Sequence, residues 1–375
     1  MTTILLKTNN LQKREEGLET LRGIDLALMH GEFLALLAMQ DAKAKTALVR
    51  VLSGLDRPDF GRVLLGGRDI TDVPPQRREV NAVFATTPLF PHRSIYQNVA
   101  YGLSRHQVSR KERRERVKAI LEDMGLSGLE DKKPLQITPL QQRLAVLCRA
   151  LALRPQVLLL DDPFSGLDDF DRKEALSSLK SIQKLWHLPM LYVTSDREEA
   201  MASTGRVALM VDGRIEQVGT PRELYARPVS VCAARMTGTI NLLPCVVAAR
   251  RPGGLVALDM EGLTLSARVF GPPPNMGEEV FVCLRPEMVR LSPDPGQGSL
   301  MSGVFTGLRE KDSKKWASVT LPTGLDLLCA APEEELSPGS RVFLWWDESQ
   351  APLVSGEEES LTPAAFPAPG KEASL

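Results

Sequence analysis

Asp161 and Asp162 stand side by side at the end of the apolar run Val157-Leu158-Leu159-Leu160, and Pro163-Phe164-Ser165-Gly166-Leu167-Asp168 follows as a tight turn. A short apolar run closed by a turn reads as a buried strand, and in α/β folds chemistry collects at the carboxyl ends of such strands. A carboxylate pair there can hold a divalent cation and take a proton from water, or it can do no more than cap the turn before Pro163. A second group is Lys45-Thr46, which follows an apolar run at residues 33–38 and a polar loop, and opens a stretch of helical potential at 46–52. Strand, loop and helix in that order put a lysine and a hydroxyl at a helix N-terminus, where unpaired N–H groups and the helix dipole favour phosphate. The plainer alternative is a solvated helix start.

Such groups need a scaffold that brings several strand ends to one edge. Apolar runs at 33–38, 80–84, 157–160, 190–194 and 207–211 alternate with helical stretches such as 172–185, which predicts a largely parallel sheet with right-handed crossovers. Asp212-Gly213, between 208–211 and 214–218, predicts a hairpin at its edge. Two helical stretches, 109–124 and 141–153, fall together between strands and predict a helical subdomain over about residues 92–153. Within it, Arg110-Lys111-Glu112-Arg113-Arg114-Glu115-Arg116 mixes both signs, as a solvated helix face does; a docking face for another protein is the alternative.

After Pro228 glycine and proline become frequent, and short segments at 255–260, 263–269, 280–284 and 342–345 alternate with turns, predicting a small β-barrel or sandwich. Its Trp345-Trp346 and Phe281-Val282 pairs suit a core. The expected division is therefore 1–237, 238–354, and a disordered tail at 355–375, where Glu, Pro, Ala and Ser leave little to bury. With 46 basic and 47 acidic side chains, no global field draws the chain to nucleic acid or an anionic bilayer. Five scattered cysteines, never spaced as CxxC, argue against a disulfide framework or a zinc site and fit a reducing compartment. No apolar run reaches the roughly 18–20 residues that cross a bilayer.

The segment from Val157 to Asp168 resembles the Walker B strand and D-loop of ATP-binding-cassette ATPases, and Tyr192-Val193-Thr194-Ser195-Asp196-Arg197-Glu198-Glu199-Ala200-Met201 resembles their switch strand and helix. The resemblance extends over nearly the whole chain to importer subunits for sugars, polyamines, sulfate or iron. It runs through Gly31-Glu32-Phe33, Phe90-Pro91-His92, Gln97-Asn98-Val99-Ala100-Tyr101-Gly102-Leu103 and Gly219-Thr220-Pro221-Arg222-Glu223-Leu224-Tyr225. Leu284-Arg285-Pro286-Glu287 resembles the hallmark of their C-terminal accessory domain. This likeness implies an α/β P-loop NTPase domain with a helical subdomain, followed by a small all-β domain of the oligonucleotide-fold-like (TOBE) kind. It implies ATP and Mg²⁺ as cofactors, permease subunits embedded in the membrane, and a second nucleotide-binding subunit, in a homodimer or a heterodimer. It also implies a cytoplasmic position on the inner face of the cell membrane.

The chain departs from the family pattern at the positions that do the chemistry. The family's phosphate loop, G-x-x-x-x-G-K-[ST], is matched by Met39-Gln40-Asp41-Ala42-Lys43-Ala44-Lys45-Thr46. Lys45 and Thr46 remain, but Met39, Ala42 and Ala44 replace glycines, and a side chain held at positive φ costs on the order of 1 kcal/mol or more. Asp41 adds a negative charge where phosphate would lie. The resemblance matches Ala85 to the glutamine that helps hold Mg²⁺, Asp162 to the general-base glutamate and Ser195 to the switch histidine. Thr46 and Asp161 match the metal ligands, and Asp168 the D-loop aspartate. The signature L-S-G-G-Q is matched by Ile137-Thr138-Pro139-Leu140-Gln141, which puts proline and leucine where glycine backbones approach the partner's nucleotide. No aromatic residue in 5–11 offers a platform for adenine. The expectation is a transporter subunit whose ATP binding and hydrolysis are weak or lost. The alternatives are a divergent working ATPase that drives import of a small hydrophilic solute, and a regulatory module without a transport role.

Overall fold

Strands buried on both faces read as unbroken apolar runs, and the central strands of this chain do. The computed structural model describes residues 3–105, 108–202, 205–295, 300–311, 314–332 and 335–355, and the chain divides into two units, Met1–Pro221 and Arg222–Leu375. The first unit opens with a long strand, β1 (Ile4–Glu15), which turns back as β2 (Leu18–Ile24) and pairs with β3 (Ala27–Met29). Then come β4 (Phe33–Leu37), α1 (Ala42–Ser53), β5 (Phe60–Leu65), β6 (Arg68–Asp69) and β7 (Val80–Phe84). The helices α2 (Ile95–Val99), α3 (Arg110–Asp123) and α4 (Pro139–Leu151) form the insert. The unit closes with β8 (Val157–Asp161), α5 (Asp169–Trp186), β9 (Met190–Thr194), α6 (Arg197–Met201), β10 (Val207–Val211) and β11 (Arg214–Gly219).

The main sheet has the order β11-β10-β4-β9-β8-β7 and is parallel except for β11. An antiparallel sheet, β2-β1-β5-β6 with β3 on β1, accompanies it. Alternate residues of each central strand feed opposite cores, as a period of two requires. Leu159 and Leu191 pack with Leu48 and Leu52 of α1, while Leu158, Leu160 and Tyr192 pack with Leu144 and Leu147 of α4 and Leu179 of α5. The edge hairpin turns at Asp212 and Gly213, both at positive φ (48° and 69°), as a two-residue turn of this hand needs. Only glycine fits the second place, because an added Cβ would stand 2.3 Å from the Thr20 carbonyl oxygen.

Helix starts follow their caps. Ser109 caps α3, whose Val117, Ile120 and Leu121 are buried while most of the charged run faces solvent. Pro139 sits at the first position of α4, where its fixed φ suits a helix and its missing N–H is no loss, so α4 begins two residues before the expected 141. Asp168 caps α5, which likewise starts before the expected 172. At the far end of α1, buried Arg78 donates to the carbonyls of Val51 and Leu52, closing the helix.

The second unit contains α7 (Pro221–Ala226) from its second residue onward and α8 (Val231–Thr237), ahead of the strands β12 (Asn241–Arg251), β13 (Leu255–Met260), β14 (Leu263–Arg268), β15 (Glu279–Leu284) and β16 (Arg290–Ser292). These are followed by β17 (Met301–Lys311), β18 (Lys314–Thr320), β19 (Asp326–Ala330), β20 (Arg341–Trp345) and β21 (Leu353–Val354). They make two five-stranded antiparallel sheets, β14-β13-β12-β15-β21 and β16-β20-β17-β18-β19, around one apolar core that includes Val282 and Trp346. This sheet-rich unit is consistent with the oligonucleotide-fold-like domain. The division at Pro221/Arg222 places residues 222–237 with the β-rich unit, and the expected tail lies outside the described residues beyond Ser355. All five cysteines are buried free thiols, and no helix of the described residues is long and apolar enough to cross a membrane.

Candidate functional site

β4 delivers the chain to Met39, and the helix that follows starts at Ala42, earlier than the expected 46. Alanine favours helix over glycine by about 0.8–1.0 kcal/mol per residue, so Ala42 and Ala44 let α1 extend into the loop. None of Met39, Ala42 and Ala44 takes a positive φ, which corrects the expected strain: the loop escapes it by becoming the first helical turn. One consequence is that the Lys45 N–H is bonded to the Asp41 carbonyl (3.0 Å), leaving only the first-turn N–H groups of Ala42, Lys43 and Ala44 outside the helix's own bonds. Asp41 stands at the N-cap position without a side-chain cap. Its carboxylate, expected to face phosphate, instead accepts from the Gly213 N–H of the edge hairpin (3.2 Å). Gln40 and Met39 are exposed, and Lys43 reaches across to Glu16 at 3.3 Å.

Behind this turn the structure gathers Lys45, Thr46, Asp161, Asp162 and Ser195. The Lys45 ammonium, buried at 5% exposure, donates to the Asp162 carboxylate and to Ser195 Oγ at 2.5 Å. The Thr46 hydroxyl donates to Asp161 Oδ2 at 2.6 Å, while Asp161 Oδ1 is buried without a hydrogen-bond partner. Burial pushes the Asp161 carboxyl above its ordinary range, against the pull of Thr46 and Lys45. Asp162 sits at φ 44°, a region that a short Asp side chain tolerates, and also accepts from the Ser195 N–H at 3.3 Å. The two carboxylates therefore do not cap the turn before Pro163. They reach across to α1 and to the turn after β9.

The remaining expected residues stand apart from this cluster. Ala85 offers only its carbonyl, which accepts from Arg143 at 2.6 Å. Thr138 and Gln141 form a reciprocal capping box, with the Gln141 N–H on Thr138 Oγ1 (3.2 Å) and the Thr138 N–H on Gln141 Oε1 (3.0 Å). Since Pro139 has no N–H and Gln142 donates to the Thr138 carbonyl, Leu140 carries the one main-chain donor that α4's first turn leaves uncommitted. Asp168 accepts from the Asp171 N–H at 2.8 Å as a helix cap. Among the described residues, no hydrogen bond or ion pair joins the start of α4 to the Lys45 cluster.

Sequence reasoning missed three residues that hold these turns. Arg143 joins Ala85 to the D-loop by donating also to the Ser165 carbonyl (2.8 Å). Arg172 ties Asp196 (2.9 Å) to the Leu167 carbonyl (3.0 Å). Glu199 accepts from the hydroxyls of Tyr192 (2.8 Å) and Thr194 (2.7 Å), and burial pushes its carboxyl up. The spacing Asp196-x-x-Glu199, a helix-start pattern, was the available signal for the last.

A lysine and a threonine on the helix start after β4, facing two carboxylates at the end of the parallel strand β8, one strand beyond β9, define a P-loop nucleotide-binding domain of the cassette type. Comparison with known proteins agrees. The family described as ABC transporter matches residues 21–165. Over 368 residues the chain is 35% identical to the spermidine/putrescine import ATP-binding protein PotA of Marinobacter nauticus, covering 96% of this chain and 98% of that one. Among solved structures, cbiO1 from Clostridium perfringens, part of the ABC transporter complex cbiONQ, is similar with a TM-score of 0.55 and 27% identity, over 60% of this chain and 91% of that one. The ATP-binding cassette MJ0796, a dimer in a post-hydrolysis state bound to ADP and Pi, gives a TM-score of 0.51 and 25% identity over 58% and 98% of the two chains. The chain belongs to the ATP-binding-cassette transporter family, as an importer ATPase subunit.

That family implies ATP and Mg²⁺, and the residues fit the two unequally. The Thr46 hydroxyl and the unpartnered Asp161 oxygen suit one divalent cation, although no cluster of three or more His, Cys, Asp or Glu ligands exists among the described residues. The phosphate side fits poorly. Its lysine is engaged by Asp162 and Ser195, and the Lys45 N–H is closed within α1.

Proposed function

We propose that this chain is the nucleotide-binding subunit of an importer for a small hydrophilic solute, of the spermidine or putrescine kind named for its relatives, with weak or absent ATP hydrolysis. It would sit against membrane-embedded permease subunits on the cytoplasmic side and pair with a second nucleotide-binding subunit. The observation that carries the reading is the engagement of Lys45, in the first turn of a helix that starts at Ala42, by Asp162 and Ser195. For a phosphate to enter, Lys45 must leave both partners, and its N–H must leave the Asp41 carbonyl before it can join those of Ala42, Lys43 and Ala44. Two hydrogen bonds to a charged group contribute roughly 1.5–3 kcal/mol each, so this rearrangement opposes binding by about two to four powers of ten. When bound, Mg²⁺ would screen phosphate charge. Thr46 and Asp161 are the residues that would hold it.

The test is calorimetric titration of MgATP into the full chain, beside a variant carrying Met39→Gly, Ala42→Gly and Ala44→Gly. Binding that appears only in the variant is the expected outcome. Tight binding by the unmodified chain would overturn the reading. A second reading, a slow ATPase of divergent chemistry, is favoured by the Thr46–Asp161 pair, whose donors remain together. Dimerisation of the unmodified chain on adding MgATP, with measurable phosphate release, would select it.

A further inference from the structure

The second unit holds a cavity of about 540 Å³, walled by α7, by the ends of β14 and β15, and by residues around Ser349. That volume suits a small organic molecule. Four guanidinium groups line it, from Arg222, Arg227, Arg268 and Arg285, against the two carboxylates of Glu223 and Glu287, an excess of two positive charges. Glu287 is engaged by the Tyr225 hydroxyl. Arg285 is a fixed wall: it is 3% exposed, donates to the carbonyls of Tyr225, Ala234 and Thr239 and the hydroxyl of Thr237, and lies 3.9 Å from the Tyr225 ring centre. Arg227 and Arg268 are exposed at the rim. Arg227 lies over the ring of Phe270, whose own 41% exposure leaves an aromatic surface at the mouth.

The field inside has the same sign. Cys283 lines the cavity, and the charges that act on its thiol, Arg285 and Arg235, both pull its pKa down, although burial still pushes it up to about 12. Arg268 acts on Asp347 as well, but that carboxylate is held by Ser349 and Gln350. Guanidinium groups pair with phosphate oxygens in a fork geometry and stack on flat rings, so arginines beside an exposed phenylalanine recognise an anion carrying a ring.

We propose that this cavity binds a phosphate monoester dianion bearing a flat ring, with Arg227 and Arg268 taking the phosphate and Phe270 the ring. The probes are phenyl phosphate, inorganic phosphate and benzylamine, titrated by calorimetry into the full chain. Phenyl phosphate is expected to bind, inorganic phosphate more weakly, and benzylamine not at all. Arg227→Gln combined with Arg268→Gln should lower phenyl phosphate affinity at least tenfold, and both side chains are exposed, so the fold should persist. Phe270→Ala should bring phenyl phosphate down to the level of inorganic phosphate, and Lys45→Ala, in the other unit, should change neither. No binding of phenyl phosphate at millimolar concentration overturns the proposal, as does equal binding of benzylamine. So does a loss on Lys45→Ala that the double variant does not share.

Discussion

Replacing Asp162 by Asn is expected to strengthen nucleotide binding while weakening the fold, because the same carboxylate neutralises buried Lys45 and keeps it from phosphate. Asn accepts from the Ser195 N–H as Asp does and tolerates the φ of 44° at this position, so the change isolates the charge. Removing the partner of a buried charge costs about 3–5 kcal/mol. Asp162 is 26% exposed and Asp161 remains beside it, which brings the expected loss of stability down to about 2 kcal/mol. On the binding side, releasing one charge-assisted bond worth about 1.5–3 kcal/mol should raise affinity for MgATP roughly ten- to a hundredfold. Calorimetry with MgATP gives the second quantity and urea unfolding the first. Asp162→Glu, which keeps the charge, should leave affinity nearly where it is. Unchanged or weaker binding by a folded Asp162→Asn variant would refute the reasoning, because it would mean that the lysine's contact with Asp162 is not what competes with phosphate.

Three further outcomes follow from local geometry. The raised carboxyl of Asp161 favours its protonated form in the fold, so its contribution to stability is complete below the unfolded value, near 3.8, and is lost as pH rises through the folded value. Asp161→Asn should therefore raise the melting temperature at about pH 7, with the gain closing as the pH falls towards about 4, as thermal melts across that range would record. Thr138→Ala removes the acceptor for the Gln141 N–H and should cost about 1 kcal/mol, read as a shift in the urea midpoint. Gly213→Ala combines a positive φ with a Cβ 2.3 Å from the Thr20 carbonyl oxygen, so destabilisation of at least about 1–3 kcal/mol is expected in the same assay.

The main sheet was legible because its strands are buried on both faces and so appear as unbroken apolar runs, and because Asp212-Gly213 is a turn that only a few residue types can make. The partners Lys45, Asp161 and Ser195 were legible through their places at strand and helix ends. Their mutual engagement was not, since it depends on how far α1 extends, and helix boundaries depend on single residues such as Ala42. The same limit hid the role of Asp41. Read alone, it is a charge in a phosphate loop; in the fold it binds the hairpin 172 residues away in sequence. Arg143 and Arg172 carried no spacing signal, because each acts on carbonyls and turns that only the sheet order brings near.

The starts of α1 and α4 share one physical property: donors or charges there are already engaged within the chain. A helix N-terminus attracts an anion only while its N–H groups are unpaired and its backbone can come close. In α1, Ala42 and Ala44 stand within the first helical turn and the Lys45 N–H is bonded to the Asp41 carbonyl, while Asp162 and Ser195 occupy the lysine. In α4, a capping box closes the Gln141 N–H and Pro139 removes another, so a single donor, on Leu140, remains. Each of the two is an ordinary helix start, more locally satisfied than a glycine-rich turn. If a site between two subunits draws the start of α1 from one and the start of α4 from the other, this chain brings an engaged Lys45 to one site and an α4 start with a single uncommitted donor to the other. Restoring glycines in α1 alone should then recover nucleotide binding to the single chain without recovering full turnover in a pair. Turnover should follow only when Pro139→Gly and Leu140→Gly are added.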